Sequence, residues 1–124
     1  MSLAERETVY IVDDDDSVRD SARALLEAYN LEVADYASAR AFLEDFDEGR
    51  KGCLLLDVNM PEMDGLELLE LLRDRNVEIP VIIVTAQIDG ALRERAKRAG
   101  AFAFFQKPVD DSLIKAIDQA LSGI

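Results

Sequence analysis

The chain has 124 residues, 49% of them apolar, with 14 Lys and Arg against 26 Asp and Glu and a formal charge of −12. That length suits one domain, and that apolar share excludes a disordered chain. The negative field repels nucleic acid and anionic membranes, no apolar run is long enough to span a bilayer, and the single cysteine, Cys53, excludes an internal disulfide.

The chain has no histidine, which removes any imidazole acid, base or metal ligand and any self-phosphorylation through an internal histidine. The opening segment Met1-Ser2-Leu3-Ala4-Glu5-Arg6-Glu7 is charged where a leader would be apolar. No signal peptide is therefore expected, and the expected location is cytoplasmic. Cys53 lies inside an apolar run and reads as a small core filler in a reducing compartment.

Five strand–helix repeats are predicted. Thr8–Val12 gives the first strand, and a helix from Ser17 to Tyr29 places Val18, Ala22, Leu25, Leu26 and Tyr29 on one face. Asp15 and Asp16 suit the start of that helix through capping and the helix dipole. Glu32–Tyr36 alternates and reads as an edge strand; Ser38 then caps a short helix with Ala41, Phe42 and Phe46 inward. Gly49 and Gly52 flank the loop into the third strand, Cys53–Leu56. A helix from Asp64 to Arg75 presents Leu66, Leu69 and Leu72, with Leu68 and Leu71 alongside. Pro80 opens the fourth strand, Val81–Thr85. Asp89 caps a helix bearing Leu92, Ala96 and Ala99, which Gly100 ends as a C′ glycine. Ala101–Gln106 is the fifth strand, and Asp110 or Asp111 starts a last helix with Leu113, Ile114, Ile117 and Leu121 inward.

Strands one, three, four and five are nearly continuous apolar runs, the mark of parallel strands covered by helices on both faces. Right-handed crossovers then predict an α/β, doubly wound, flavodoxin-like five-stranded parallel sheet of order 2-1-3-4-5, in one domain over residues 1–124.

Open α/β sheets do their chemistry at the carboxyl ends of the strands. Asp13 and Asp14 follow the first strand, Asp57 follows the third, Thr85 ends the fourth and Lys107-Pro108 follows the fifth. Each has an ordinary reading alone: acids start helices, threonine is common at strand ends, and Lys-Pro makes a turn, in which a cis bond is possible. Together they form a site. Three neighbouring carboxylates repel one another, and Mg²⁺ relieves that, because carboxylate and carbonyl oxygens with retained water suit it. Lys107 can neutralise charge or hold a phosphoryl oxygen, and Thr85 supplies a hydroxyl donor. Asp57 is then a nucleophile that forms an acyl phosphate.

The motifs Asp13-Asp14, Asp57 with Met60-Pro61 and Asp64-Gly65, Thr85-Ala86 and Lys107-Pro108 stand in this order. The chain thereby resembles the receiver domain of bacterial two-component response regulators. The segment Tyr36-Ala37-Ser38-Ala39-Arg40-Ala41-Phe42-Leu43 further resembles receivers of the FixJ type. The resemblance implies that Asp57 accepts a phosphoryl group from a phosphohistidine on a sensor histidine kinase. It implies direct Mg²⁺ ligation by Asp14, Asp57 and the Asn59 main-chain carbonyl, with Asp13 helping through water. Thr85 and Lys107 would contact the phosphoryl oxygens. Phe104 stands at the aromatic switch position, though an ordinary core or edge aromatic is the competing reading. Asn59 and Gln87 occupy the two positions that tune acyl-phosphate lifetime. The domain would catalyse its own phosphorylation and dephosphorylation while acting chiefly as a switch.

Two departures stand out. Val109 replaces the aromatic that often follows Lys-Pro, and these 124 residues do not include the DNA-binding output domain that many family members carry. The FixJ-like character favours a longer parent chain with transcriptional output, the alternative being a stand-alone regulator. The helix after Asp89 carries Arg93, Arg95, Lys97 and Arg98. This is either a solvated face with Glu94 interleaved or a docking surface, met in a phosphorylated homodimer by Asp110, Asp111 and Asp118 of a second copy.

Other classes fit less well. A phosphorylation-independent interaction module would have no need of Asp57 or Lys107. A flavodoxin-type cofactor binder needs a Ser/Thr/Gly-rich phosphate loop where Asp13-Asp14-Asp15-Asp16 stands. A haloacid-dehalogenase-like phosphatase wants a second Asp two residues after the nucleophile, where this chain has Asn59.

Overall fold

Short apolar runs in which both alternate faces are apolar can be satisfied only by cover on both sides. The computed structural model, which describes residues 7–47 and 49–122, resolves them that way. Strands β1 (Thr8–Val12), β2 (Glu32–Tyr36), β3 (Gly52–Leu56), β4 (Val81–Thr85) and β5 (Ala103–Gln106) pair in parallel in the order β2-β1-β3-β4-β5. Helices α1 (Asp16–Ala28), α2 (Ala39–Asp45), α3 (Gly65–Asp74), α4 (Gly90–Arg98) and α5 (Asp111–Leu121) cover the two faces. The charged start at residues 1–6, Glu48 and the terminal Gly123-Ile124 lie outside the described residues.

The strand alternation sorts the core into two. Tyr10, Val12, Leu54, Leu56 and Ile83 pack with Phe42, Leu69 and Ala96 of α2, α3 and α4. Ile11, Leu55, Ile82 and Val84 pack with Leu26, Leu113 and Ile117 of α1 and α5. Each buried leucine or isoleucine contributes about 1.5–3 kcal/mol, far more than an exposed pair such as Arg40–Glu44, at about 0.3–0.5 kcal/mol. Cys53 is buried within β3, and burial pushes its thiol up to about 12, so it is inert filler.

Helix starts follow the sequence closely. Asp15, Ser38, Asp64, Asp89 and Asp110 cap the five helices, and Asp64 forms a capping box with Glu67. Helix ends use one device three times. Asn30 (φ 63°), Asn76 (φ 60°) and Gly100 (φ 89°) adopt the left-handed conformation after α1, α3 and α4. The next residue returns an N–H to the helix in each case: Leu31 to Leu26, Val77 to Leu72 and Ala101 to Ala96. Arg73 fastens this end of the molecule by donating to the carbonyls of Val77, Ile79 and Gly100.

Two expectations are corrected. Tyr29 is 46% exposed, because α1 ends at Ala28 and Tyr29 is its C-cap. Its hydroxyl meets Asp111 instead of the core. Strand β5 is only partly covered: as an outer strand it has a neighbour on one side, its residues are at best half-buried, and Phe102 lies outside it, 38% exposed.

Asn76 is the position where the left-handed turn is testable. Asn76→Gly should leave stability level or slightly raised, whereas Asn76→Val should lower it by about 1–2 kcal/mol, read from urea unfolding midpoints.

Candidate functional site

Register decides where the chemistry sits. Val12 of β1 lies opposite Leu56 of β3, so Asp13 and Asp57 leave the sheet at the same level on adjacent strands. The strand pairing extends one step further, with the Asp57 N–H donating to the Val12 carbonyl at 3.0 Å and the Asp13 N–H to the Tyr36 carbonyl at 3.1 Å. Both carboxylates share the parity of Ile11 and Leu55, the α1–α5 side. There they line the polar end of a cavity of about 470 Å³ floored by Ile11, Leu55 and Val84.

Asp13 and Asp57 are 3% and 5% exposed, while Asp14 is exposed. Oxygens of the three carboxylates lie within 4.8 Å of one another. Lys107 answers them from the end of β5: its Nζ is 2.8 Å from Asp13 Oδ2 and 3.4 Å from Asp57 Oδ1. The other oxygen of Asp13 accepts the Asp15 N–H at 2.9 Å. Both Asp13 oxygens thus have a partner, whereas Asp14 is exposed.

Burial and then the charge of Asp13 push Asp57 above the usual carboxylate range, against the pull of Lys107 and the Asn59 backbone N–H. Lys107 is raised: burial alone would lower it, but the bond to Asp13 and the charges of Asp57 and Asp13 win. Three carboxylates and one ammonium leave two uncompensated negative charges among oxygen donors only. That set fits a hard divalent cation such as Mg²⁺.

Thr85 joins the site through its main chain, its carbonyl accepting the Lys107 N–H at 2.8 Å. Its Oγ1 is buried with no hydrogen-bond partner. Thr85 shares the parity of Ile83, on the α3–α4 side, so its hydroxyl is not brought onto Asp57. Phe104 pairs in register with Ile83, half-buried on β5 beneath the Arg93 guanidinium at 5.3 Å. Asn59 and Gln87 are exposed on the loops after β3 and β4. Val109 lines the cavity beside Pro108, and the Lys107-Pro108 peptide is cis.

Gly65 sets the close fit of the β3–α3 loop. A Cβ there would stand 2.2 Å from the Asp57 carbonyl oxygen, and its N–H donates to the Val58 carbonyl at 3.1 Å. The sequence reading missed Arg19, whose Nη1 donates to the Asp13 carbonyl at 2.6 Å. No local motif signals that contact.

The raised Asp57 carboxyl has a stability consequence. An acid whose folded-state pKa lies above its unfolded value destabilises the fold at pH above both, and that penalty fades as pH falls through the folded value. Asp57→Asn should therefore raise the urea midpoint of the metal-free protein at pH 7. The gain should shrink on acidification, and a gain that instead grows towards low pH would contradict the assignment.

The model of the response regulator receiver domain matches residues 9–118. The transcriptional regulatory protein FixJ of Azorhizobium caulinodans is 42% identical over 115 residues, covering 93% of this chain and 54% of that protein. The response regulator protein TmoT of Ectopseudomonas mendocina is 40% identical over 114 residues, covering 91% and 52%. The chain thus spans about half the length of the curated relatives it matches. Among solved structures, FixJ-N superposes with a TM-score of 0.86 at 39% identity, covering 95% of each chain. With this match across nearly the whole sheet and its acidic rim, the chain belongs to the response regulator receiver family.

Proposed function

We propose that this chain is a single phosphoacceptor domain in which Asp57 takes a phosphoryl group from a phosphohistidine of a sensor histidine kinase. The observation that most supports this is the buried Asp57 carboxylate, set between the acids of β1 and the Lys107 ammonium 3.4 Å away. An Asp57 oxygen attacks phosphorus, the phosphorus–nitrogen bond breaks, and the imidazole leaves with the electron pair. Mg²⁺ would be held by Asp14, Asp57 and the Asn59 carbonyl, with Asp13 helping, and would supply positive charge to the phosphoryl oxygens. Lys107 turns one donor from Asp57 to a phosphoryl oxygen while keeping Asp13. The group adds about −1.5 to −2 charges. Thr85, with a free hydroxyl, moves toward that charge, and Phe104 follows it. Asn59 and Gln87, exposed beside the site, tune hydrolysis.

The transcriptional names of the relatives support an output domain in the whole protein that acts on transcription. No helix among the described residues is long and apolar enough to cross a membrane, and the proposed location is cytoplasmic. For a homodimer through α4 and α5 the support is narrower. Arg95 is 2.9 Å from Glu70, Arg98 is 3.8 Å from Glu94, and Arg93 lies over Phe104, which leaves Lys97 as the cation of α4 without an internal partner among the described residues.

Incubation with Mg²⁺ and acetyl phosphate should add the mass of one phosphoryl group. The adduct should vanish in Asp57→Ala and without Mg²⁺; an adduct that survives Asp57→Ala would rule out this acceptor. Lys97→Glu should weaken dimerisation of the phosphorylated protein in sedimentation, and unchanged association would remove Lys97 from the contact.

A further inference from the structure

The acidic loop after β1 presents four consecutive aspartates, Asp13 to Asp16, which repel one another, yet the main chain of its first residue is held at both its N–H and its carbonyl. The Asp13 N–H is pinned to the Tyr36 carbonyl of β2 at 3.1 Å. The Asp13 carbonyl is pinned by Arg19 Nη1 at 2.6 Å. We propose that Arg19 is a positioning residue for cation binding: by holding the Asp13 carbonyl it fixes the peptide plane that carries the Asp14 N–H, and so the direction in which Asp14 leaves the sheet. This rests on the phosphoacceptor reading.

Arg19 lies on α1 with its side chain only 14% exposed, and it spends its donors in three directions. Nη1 takes the Asp13 carbonyl, Nη2 takes the Asp16 carboxylate, and Nε faces Asp35 Oδ2 at 3.4 Å. A planar guanidinium can hold these three at once, whereas an ammonium cannot reproduce the fork. The contact matters for Asp14 in particular. Asp13 is fixed through both carboxylate oxygens, by Lys107 and the Asp15 N–H. Asp14 is exposed, and its placement depends on the main chain before it. Arg19 also brings positive charge to the loop through the Asp13 carbonyl and the Asp16 carboxylate.

A purely structural role is the competing account, because Arg23 also pairs with Asp35, at 2.8 Å, and ties α1 to β2. The two accounts separate by variant. Positioning groups of this kind are worth about 10–100-fold in metal affinity. In calorimetric titration with Mg²⁺, Arg19→Met should weaken binding about tenfold. Asp16→Asn and Asp35→Asn, which leave the carbonyl contact in place, should stay within about twofold of the parent. The Asp13 carbonyl ¹³C resonance should shift in Arg19→Met and remain in place in Asp35→Asn. If Arg19→Met does not fold, Arg19→Lys is read instead, with binding at least about threefold weaker expected from loss of the fork. Parent-like affinity in the folded Arg19 variant, or equal weakening in Asp35→Asn, would overturn the proposal. A parent protein that takes no Mg²⁺ would overturn it together with the phosphoacceptor reading, so the two failures are told apart by the parent titration.

Discussion

Two carboxylates are buried side by side at the rim of a parallel sheet, and one ammonium from the far end of the chain keeps them there. Asp13 and Asp57 are neighbours because β1 and β3 are neighbours in register, and neither can retreat into water without breaking that register. Lys107, 94 residues from Asp13 in sequence, closes the arrangement at 2.8 Å. Breaking such a buried ion pair by removing one partner leaves an uncompensated charge and costs more than the intact pair contributes. The site is therefore a strained balance of charge, and one lysine leaves it short of positive charge. That shortfall, among oxygen donors alone, fits a divalent cation.

The rest of the fold keeps this balance from relaxing. Both faces of the central strands are packed, so β1, β3 and β4 cannot slide or tilt to separate their ends. Gly65 lets α3 approach the Asp57 carbonyl more closely than any side chain would permit. At the opposite end of the sheet, Arg73 and the left-handed turns at Asn76 and Gly100 lock the starts of β4 and β5. Rigidity is concentrated where the acids must stay close.

Local signals were sufficient for the elements and for the acids. Apolar runs bounded by Asp or Ser caps located all ten elements within two residues or so at most ends, and chain order with right-handed crossovers gave the sheet. The residues missed act through main-chain contacts that side-chain patterning does not encode. Arg73 and Arg19 bind main-chain carbonyls, and nothing in helical spacing distinguishes them from solvated arginines. Tyr29 continued an apolar stripe by spacing, but Asn30 turned the chain first. In β5 the run looked buried because hydrophobicity reports side chains, whereas cover is set by whether a further strand exists beyond the edge.

The switching role proposed for Thr85 rests on where its strand leaves its two halves. Its strand position fixes the main chain next to Lys107, but its side chain belongs to the face of Ile83 and Phe104, where the hydroxyl has no partner. Burying an unpaired hydroxyl costs about 1–3 kcal/mol, so a new acceptor at the site would be met by a group already under pressure to move. The loop beyond Thr85 leads into α4, in which only Ala96 is buried, against five buried residues in α3. A helix with so little apolar anchoring yields first when its leading loop is pulled. On the proposed function, charge captured on the α1–α5 side would reach the α4 surface through Thr85, because Thr85 ends β4, which is bonded to the edge strand that leads into Lys107.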